Sequence, residues 1–139
     1  MKNPELEELI SKCIGETSKA ARAKYSPEEA ERTAALFIEA QMKASLYIED
    51  IELNVKLSRN EIERIEGEKY FEYRSGGGDK RITENALSAH IASDKDVCKI
   101  KDENARLEAT LRKWTYIIGT LKDGHIFFRN VNKTKSWQE

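Results

Sequence analysis

Hydrophobic and polar residues recur along most of this chain with the period of an α-helix. Ala30, Ala34, Phe37, Gln41, Ala44, Ile48, Ile51, Val55, Ser58, Ile62 and Ile65 step by four and three without a break. That is a heptad seam, the spacing that packs helices with a left-handed supercoil. Ser26-Pro27-Glu28-Glu29 opens the stretch as a capping box with Pro at the first helical position. No Gly or Pro follows until Gly67, so one long helix is predicted over about 27–73. Leu46, Leu53 and Leu57 widen its apolar stripe and call for more than one neighbour.

A second seam runs through Val97, Ile100, Asn104, Leu107, Leu111, Trp114, Ile118 and Leu121. It predicts a long helix over about 93–122, capped by Ser93, with Asp94 and Asp96 at its positive end and Asp123-Gly124 as its stop. Asn104 falls on the seam, where a polar side chain sets register at some cost in stability. Asn3-Pro4 starts a short helix over about 4–15, with Leu6, Leu9, Ile10, Cys13 and Ile14 on one face and Gly15 closing it. Gly76-Gly77-Gly78 marks a Gly-rich loop at 75–82, followed by a short apolar helix through Ala86, Leu87 and Ile91. The tail at 125–139, HIFFRNVNKTKSWQE, is aromatic and basic. The expected fold is all-α: one helical domain over 1–139, a long helical hairpin with heptad seams. So thin a hairpin leaves seams to cover, and self-association is expected through Phe37, Ile48, Ile51, Val55, Asn104, Leu107, Leu111, Trp114 and Ile118.

Composition narrows the class. Of 139 residues, 35% are charged and 39% hydrophobic, with mean hydropathy −0.71. The mix argues against a membrane span and against wholesale disorder. The first residues, MKNPELEELI, have no apolar core of a signal peptide. Cys13 and Cys98 lack CxxC pairing and read as buried free thiols in a reducing cytoplasm. Net charge is −1, but unevenly spread. Residues up to Tyr73 carry 11 Lys+Arg against 16 Asp+Glu, and those from Arg74 onward carry 13 against 9, balances of −5 and +4. A basic surface on an acidic scaffold fits this, and so does the basic half of one copy meeting the acidic half of another.

No catalytic constellation is visible. SGGGDKRIT lacks the GxxxxGK[ST] spacing of a phosphate loop, with Arg81 after Lys80 where Ser or Thr belongs. His90 and His125 have no Cys or His at metal-ligand spacing, so no metal is expected. A Cys98–His90 nucleophile pair reads as accidental, and the many carboxylates are spread along helix faces. The expectation is a protein that is not an enzyme and needs no cofactor.

What the chain has is binding chemistry. Glu68 to Arg81, EKYFEYRSGGGDKR, joins Tyr70, Phe71 and Tyr73 to Lys69, Arg74, Lys80 and Arg81. Rings stack bases and cations neutralise phosphates, a combination suited to a single strand. The bland reading is that the rings close the end of the hairpin. Arg129, Lys133, Lys135 and Trp137 in the tail form a second patch, or else a docking segment for a neighbouring subunit.

EYRSGGGD at 72–79, and ASDKDVCKI at 92–100 followed by Trp114, resemble the phage recombination mediator UvsY family. That family has an aromatic Tyr-Ser-Gly loop and then an Asp-Lys-Asp-Val block opening its last long helix. The resemblance spans nearly the whole chain in segment order, and is specific in the loop and at 92–100. It implies a small helical protein forming ring-like homo-oligomers of roughly six to eight subunits. It also implies binding to single-stranded DNA and loading of the phage recombinase onto strand covered by single-strand-binding protein, in the cytoplasm of the infected host. The family's DNA-binding Lys and Arg ahead of the loop match Glu68 and Tyr70 here, a departure that Lys69, Arg74 or stacking by Tyr70 offsets. Lys95 and Lys99 match basic positions of the Asp-Lys-Asp block, with a helix-start charge network as their other reading. The competing expectations are a structural or assembly coiled-coil protein and a recombinase adaptor, neither with DNA affinity of its own.

Overall fold

The computed structural model describes residues 2–20, 24–75 and 82–138, with side chains of the last stretch as far as Val131. Every element among them is a helix: α1 Pro4–Ala20, α2 Pro27–Ser75, α3 Glu84–Ser93 and α4 Lys95–Gln138. The chain divides into two compact units. The first holds Met1–Asp50 and Arg112–Glu139, the second Ile51–Leu111.

The helix starts follow from local chemistry. Asn3 Oδ1 accepts the Leu6 amide at 3.2 Å, and Ser26 Oγ accepts that of Glu29 at 3.2 Å, each filling an otherwise orphaned donor. Thr83 does the same for Ala86 at 3.2 Å. Ser93, expected to cap α4, ends α3 instead, its hydroxyl donating to the Ala89 carbonyl at 2.9 Å. Asp94 takes the cap, with Oδ1 accepting the amides of Asp96 at 2.9 Å and Val97 at 3.2 Å. A carboxylate at the positive end of a helix gains more than a hydroxyl there.

In the first unit, Leu6, Leu9 and Cys13 of α1 are buried beside Ala30, Ala34, Phe37, Ala40, Ala44 and Tyr47 of α2. From α4 come Trp114, Leu121 and Phe128. Tyr47 meets Trp114 edge-on with ring centroids 5.0 Å apart, and Phe37 and Tyr25 meet Phe128 at 5.4 and 5.3 Å. Within this unit α2 and α4 therefore run antiparallel. The second unit buries less: Ile51, Val55, Leu87 and Val97, with Asn104 reaching the Val55 carbonyl at 3.4 Å.

Three expectations from the sequence give way. Gly15 does not end α1, which runs on to Ala20; glycine permits a left-handed exit but does not force one. Asp123-Gly124 does not end α4, and the supposed tail from 125 is helical to Gln138. Phe128 is fully buried one turn beyond Gly124. A Cβ on Gly124 would lie 2.2 Å from Phe37 Cε1, so the glycine is a seat for that ring. Cys98 is exposed, its thiol 3.2 Å from the Ala92 carbonyl, while Cys13 is buried and its thiol is pushed up to about 11 by burial.

Candidate nucleic-acid interface

Of the residues singled out for strand binding, Lys69, Tyr70, Tyr73 and Arg74 lie on the last turns of α2, and Lys95 and Lys99 on the first turns of α4, all in the second unit. Lys69 faces three carboxylates: Asp96 at 3.1 Å, Glu72 at 3.4 Å and Asp94 at 3.5 Å. Asp96 first, then Glu72 and Asp94, holds its ammonium well above the ordinary lysine range. With only 17% of its side chain exposed, Lys69 is a staple between α2 and the start of α4. Tyr73 is committed too. Its hydroxyl donates to Asp94 Oδ2 at 2.7 Å, and its ring stacks on His90 with centroids 5.6 Å apart. The same bond raises the Tyr73 phenol and, with the Asp96 and Val97 amides and Lys69, holds Asp94 below the usual carboxylate range.

Tyr70 and Arg74 pair with one another. The Arg74 guanidinium lies 5.6 Å from the Tyr70 ring centroid and donates to its hydroxyl. Arg74 also reaches Glu84 at 3.6 Å, yet 62% of its side chain stays exposed. Phe71 stands edge-on to Tyr70 at 5.8 Å and is 70% exposed. Tyr70 borders an open groove of about 490 Å3 whose wall includes Gly67, Ile91 and Ala92. Lys95 and Lys99 are exposed, and neither is ion-paired to a described residue. Lys80 and Arg81, with the three glycines, lie outside the described residues.

Compared with protein-family models, with curated proteins and with solved structures, the chain matches none. The site is therefore read from its own geometry.

The helical positions named for self-association take inward places. Phe37, Ile51, Val55, Asn104 and Trp114 are buried by the chain's own helices, and Ile48, Leu107, Leu111 and Ile118 are half-buried. Besides Phe71, the large exposed apolar residues of α2 are others: Ile38, Met42 and Leu46 in the first unit, Leu53 and Leu57 in the second. Sequence reasoning also missed Asp94 as the hub that caps α4 and receives both Lys69 and Tyr73. Its signal was the Asp-x-Asp at the head of the last seam, read there as helix-start charge alone. Among the described residues, no helix is long and apolar enough to cross a membrane.

Proposed function

We propose that this protein is a single-stranded-DNA-binding recombination mediator that acts as a homo-oligomer. In this reading it loads a phage recombinase onto strand covered by single-strand-binding protein, in the cytoplasm of the infected host. The observation that carries the reading is the end of α2, where Phe71 is 70% exposed beside the Tyr70–Arg74 pair. Exposed rings next to cations suit stacked bases and their phosphates, and each stacked base is worth about 1–3 kcal/mol. Lys95 and Lys99 add two exposed cations that are ion-paired to no described residue. Repetition of so small a site in an oligomer multiplies weak contacts into tight binding. Ile38, Met42 and Leu46 at successive turns of α2 support the self-association, as a solvent-facing apolar stripe that one chain leaves uncovered.

Anisotropy of a labelled oligonucleotide at low and high salt tests the proposal. Expected is single-strand binding that weakens steeply with salt. Phe71→Ala with Arg74→Gln should lower the affinity at least tenfold, with particle mass unchanged by light scattering. An unchanged affinity removes this surface. A second reading, a structural or adaptor protein with no DNA affinity, draws support from the commitment of Lys69 and Tyr73 to Asp94. No binding by the wild-type chain even in dilute buffer would select it.

A further inference from the structure

In the first unit, α4 turns a second surface to solvent that differs in composition from the rest of the molecule. Opposite the buried Trp114, Leu121 and Phe128, the positions Arg112, Tyr116, Gly119, Asp123, Ile126 and Asn130 follow at four- and three-residue steps, so they share one face. Lys113 and Phe127 flank it on one side, Lys122 and Arg129 on the other, each pair on a side a whole number of heptads apart. All ten are exposed. From Arg112 to Gln138 the only acid is Asp123. Arg112, Lys113, Lys122 and Arg129 form no ion pair with a described residue; in the second unit Arg59, Arg64, Lys69, Arg74 and Lys101 are paired and Lys56, Lys95, Lys99 and Arg106 are not.

The aromatic component is as distinct. Tyr116 is 80% exposed and Phe127 50%. Beside Tyr116 the helix backbone lies bare at Gly119, where an added Cβ meets nothing within 4 Å. The result is a shallow concavity of about 440 Å3 against the tyrosine ring, with Lys122 at its rim.

We infer that this face of α4 is a second contact for single-stranded nucleic acid, with Tyr116 stacking a base and Arg112, Lys113, Lys122 and Arg129 holding phosphates. The inference rests on the reading of the chain as a single-strand binder, and adds a surface which that reading did not include. Four cations against the single carboxylate of Asp123 favour a polyanion, and an exposed tyrosine over a bare backbone favours bases over a protein's acidic side chains.

The test uses the full chain and a labelled oligothymidylate, titrated across salt concentrations. Arg112→Gln with Lys122→Gln should lower the salt slope by about 1.4, since each phosphate held on a single strand contributes about 0.7. Tyr116→Ala should cost about fivefold or more in affinity and Tyr116→Phe little, because the ring is what stacks. Lys95→Gln with Lys99→Gln serves as the parallel variant on the other surface. If that variant weakens binding while the α4 variants leave affinity and slope unchanged, the inference is overturned and the proposed function stands. If the wild-type chain does not bind the strand, both fall. If the α4 variants lower particle mass with strand affinity intact, the face serves copies of the chain and the inference is again overturned.

Discussion

In the first unit α2 and α4 meet through rings and alanines; in the second they meet through charges. Tyr25, Phe37, Tyr47, Trp114 and Phe128 interlock over a floor of Ala30, Ala34, Ala40 and Ala44. Small residues let the helices approach, and the rings fill what remains. Among its described residues the second unit buries four apolar side chains, and it then relies on Lys69 with Asp94, Asp96 and Glu72, on Arg59 with Glu108 at 2.6 Å, and on Lys101 with Glu66 at 3.0 Å. An exposed ion pair such as Lys101–Glu66 contributes about 0–1 kcal/mol and weakens with salt. A fully buried aromatic contributes several times as much. The difference explains where binding chemistry can sit. The first unit, closed by its core, leaves the outer cations of α4 without an ion pair to a described residue, while the second commits Lys69 to its own closure and keeps Lys95 and Lys99 for binding.

The strongest way to break the contrast is Phe128→Ala. It removes a fully buried ring touching Tyr25 and Phe37 and should cost about 3–5 kcal/mol, read as a lower denaturant midpoint. The first unit should loosen before the second. Buried Cys13 reports this directly, by reacting with an alkylating reagent that in the wild type reaches the exposed Cys98 first. Equal protection of Cys13 in both proteins would contradict the account.

Gly124→Ala sharpens the same point with a smaller change. On an open helix face the substitution stabilises by about 1 kcal/mol. Here the added methyl meets the Phe37 ring, and a loss of about 1–3 kcal/mol is expected in thermal or denaturant unfolding. A gain in stability would show that Phe37 has another seat.

The second unit answers to pH. Asp94 is held below the usual carboxylate range by the Tyr73 hydroxyl, the amides of Asp96 and Val97, and Lys69. A carboxylate depressed on folding contributes stability above its unfolded pKa of about 4, and loses it as pH falls through the lower folded value. Asp94→Asn should therefore be less stable than wild type at neutral pH, by less than Phe128→Ala. The gap should close as the pH drops below about 4, followed by circular dichroism during chemical unfolding. A gap that persists unchanged into acid would mean the Asp94 charge is not what ties the start of α4 to α2.

Much of the helical architecture was legible because it depends on local rules. Asn3-Pro4 and Ser26-Pro27 announce helix starts through the donors they satisfy, and a stretch without Gly or Pro announces α2. The errors fall where a local signal met a distant partner. Gly124 resembles a stop until the Phe37 ring is placed against it. Ser93 resembles a cap until Asp94 is seen to serve α3, α4, Lys69 and Tyr73 together. At the candidate site, the sequence pointed to the rings and cations at the end of α2, but not to which of them were already engaged. Lys69 and Tyr73 look as available as Phe71 in one dimension.

By itself the sequence determined that this protein is helical and where most of its helices begin. Periodicity, capping and the absence of breakers act within a few residues and need no distant partner. Only the tertiary structure decided which cations stay free, which rings face solvent, and that α4 runs past its glycine. Those outcomes depend on side chains dozens of residues apart in the chain competing for the same space and the same charges.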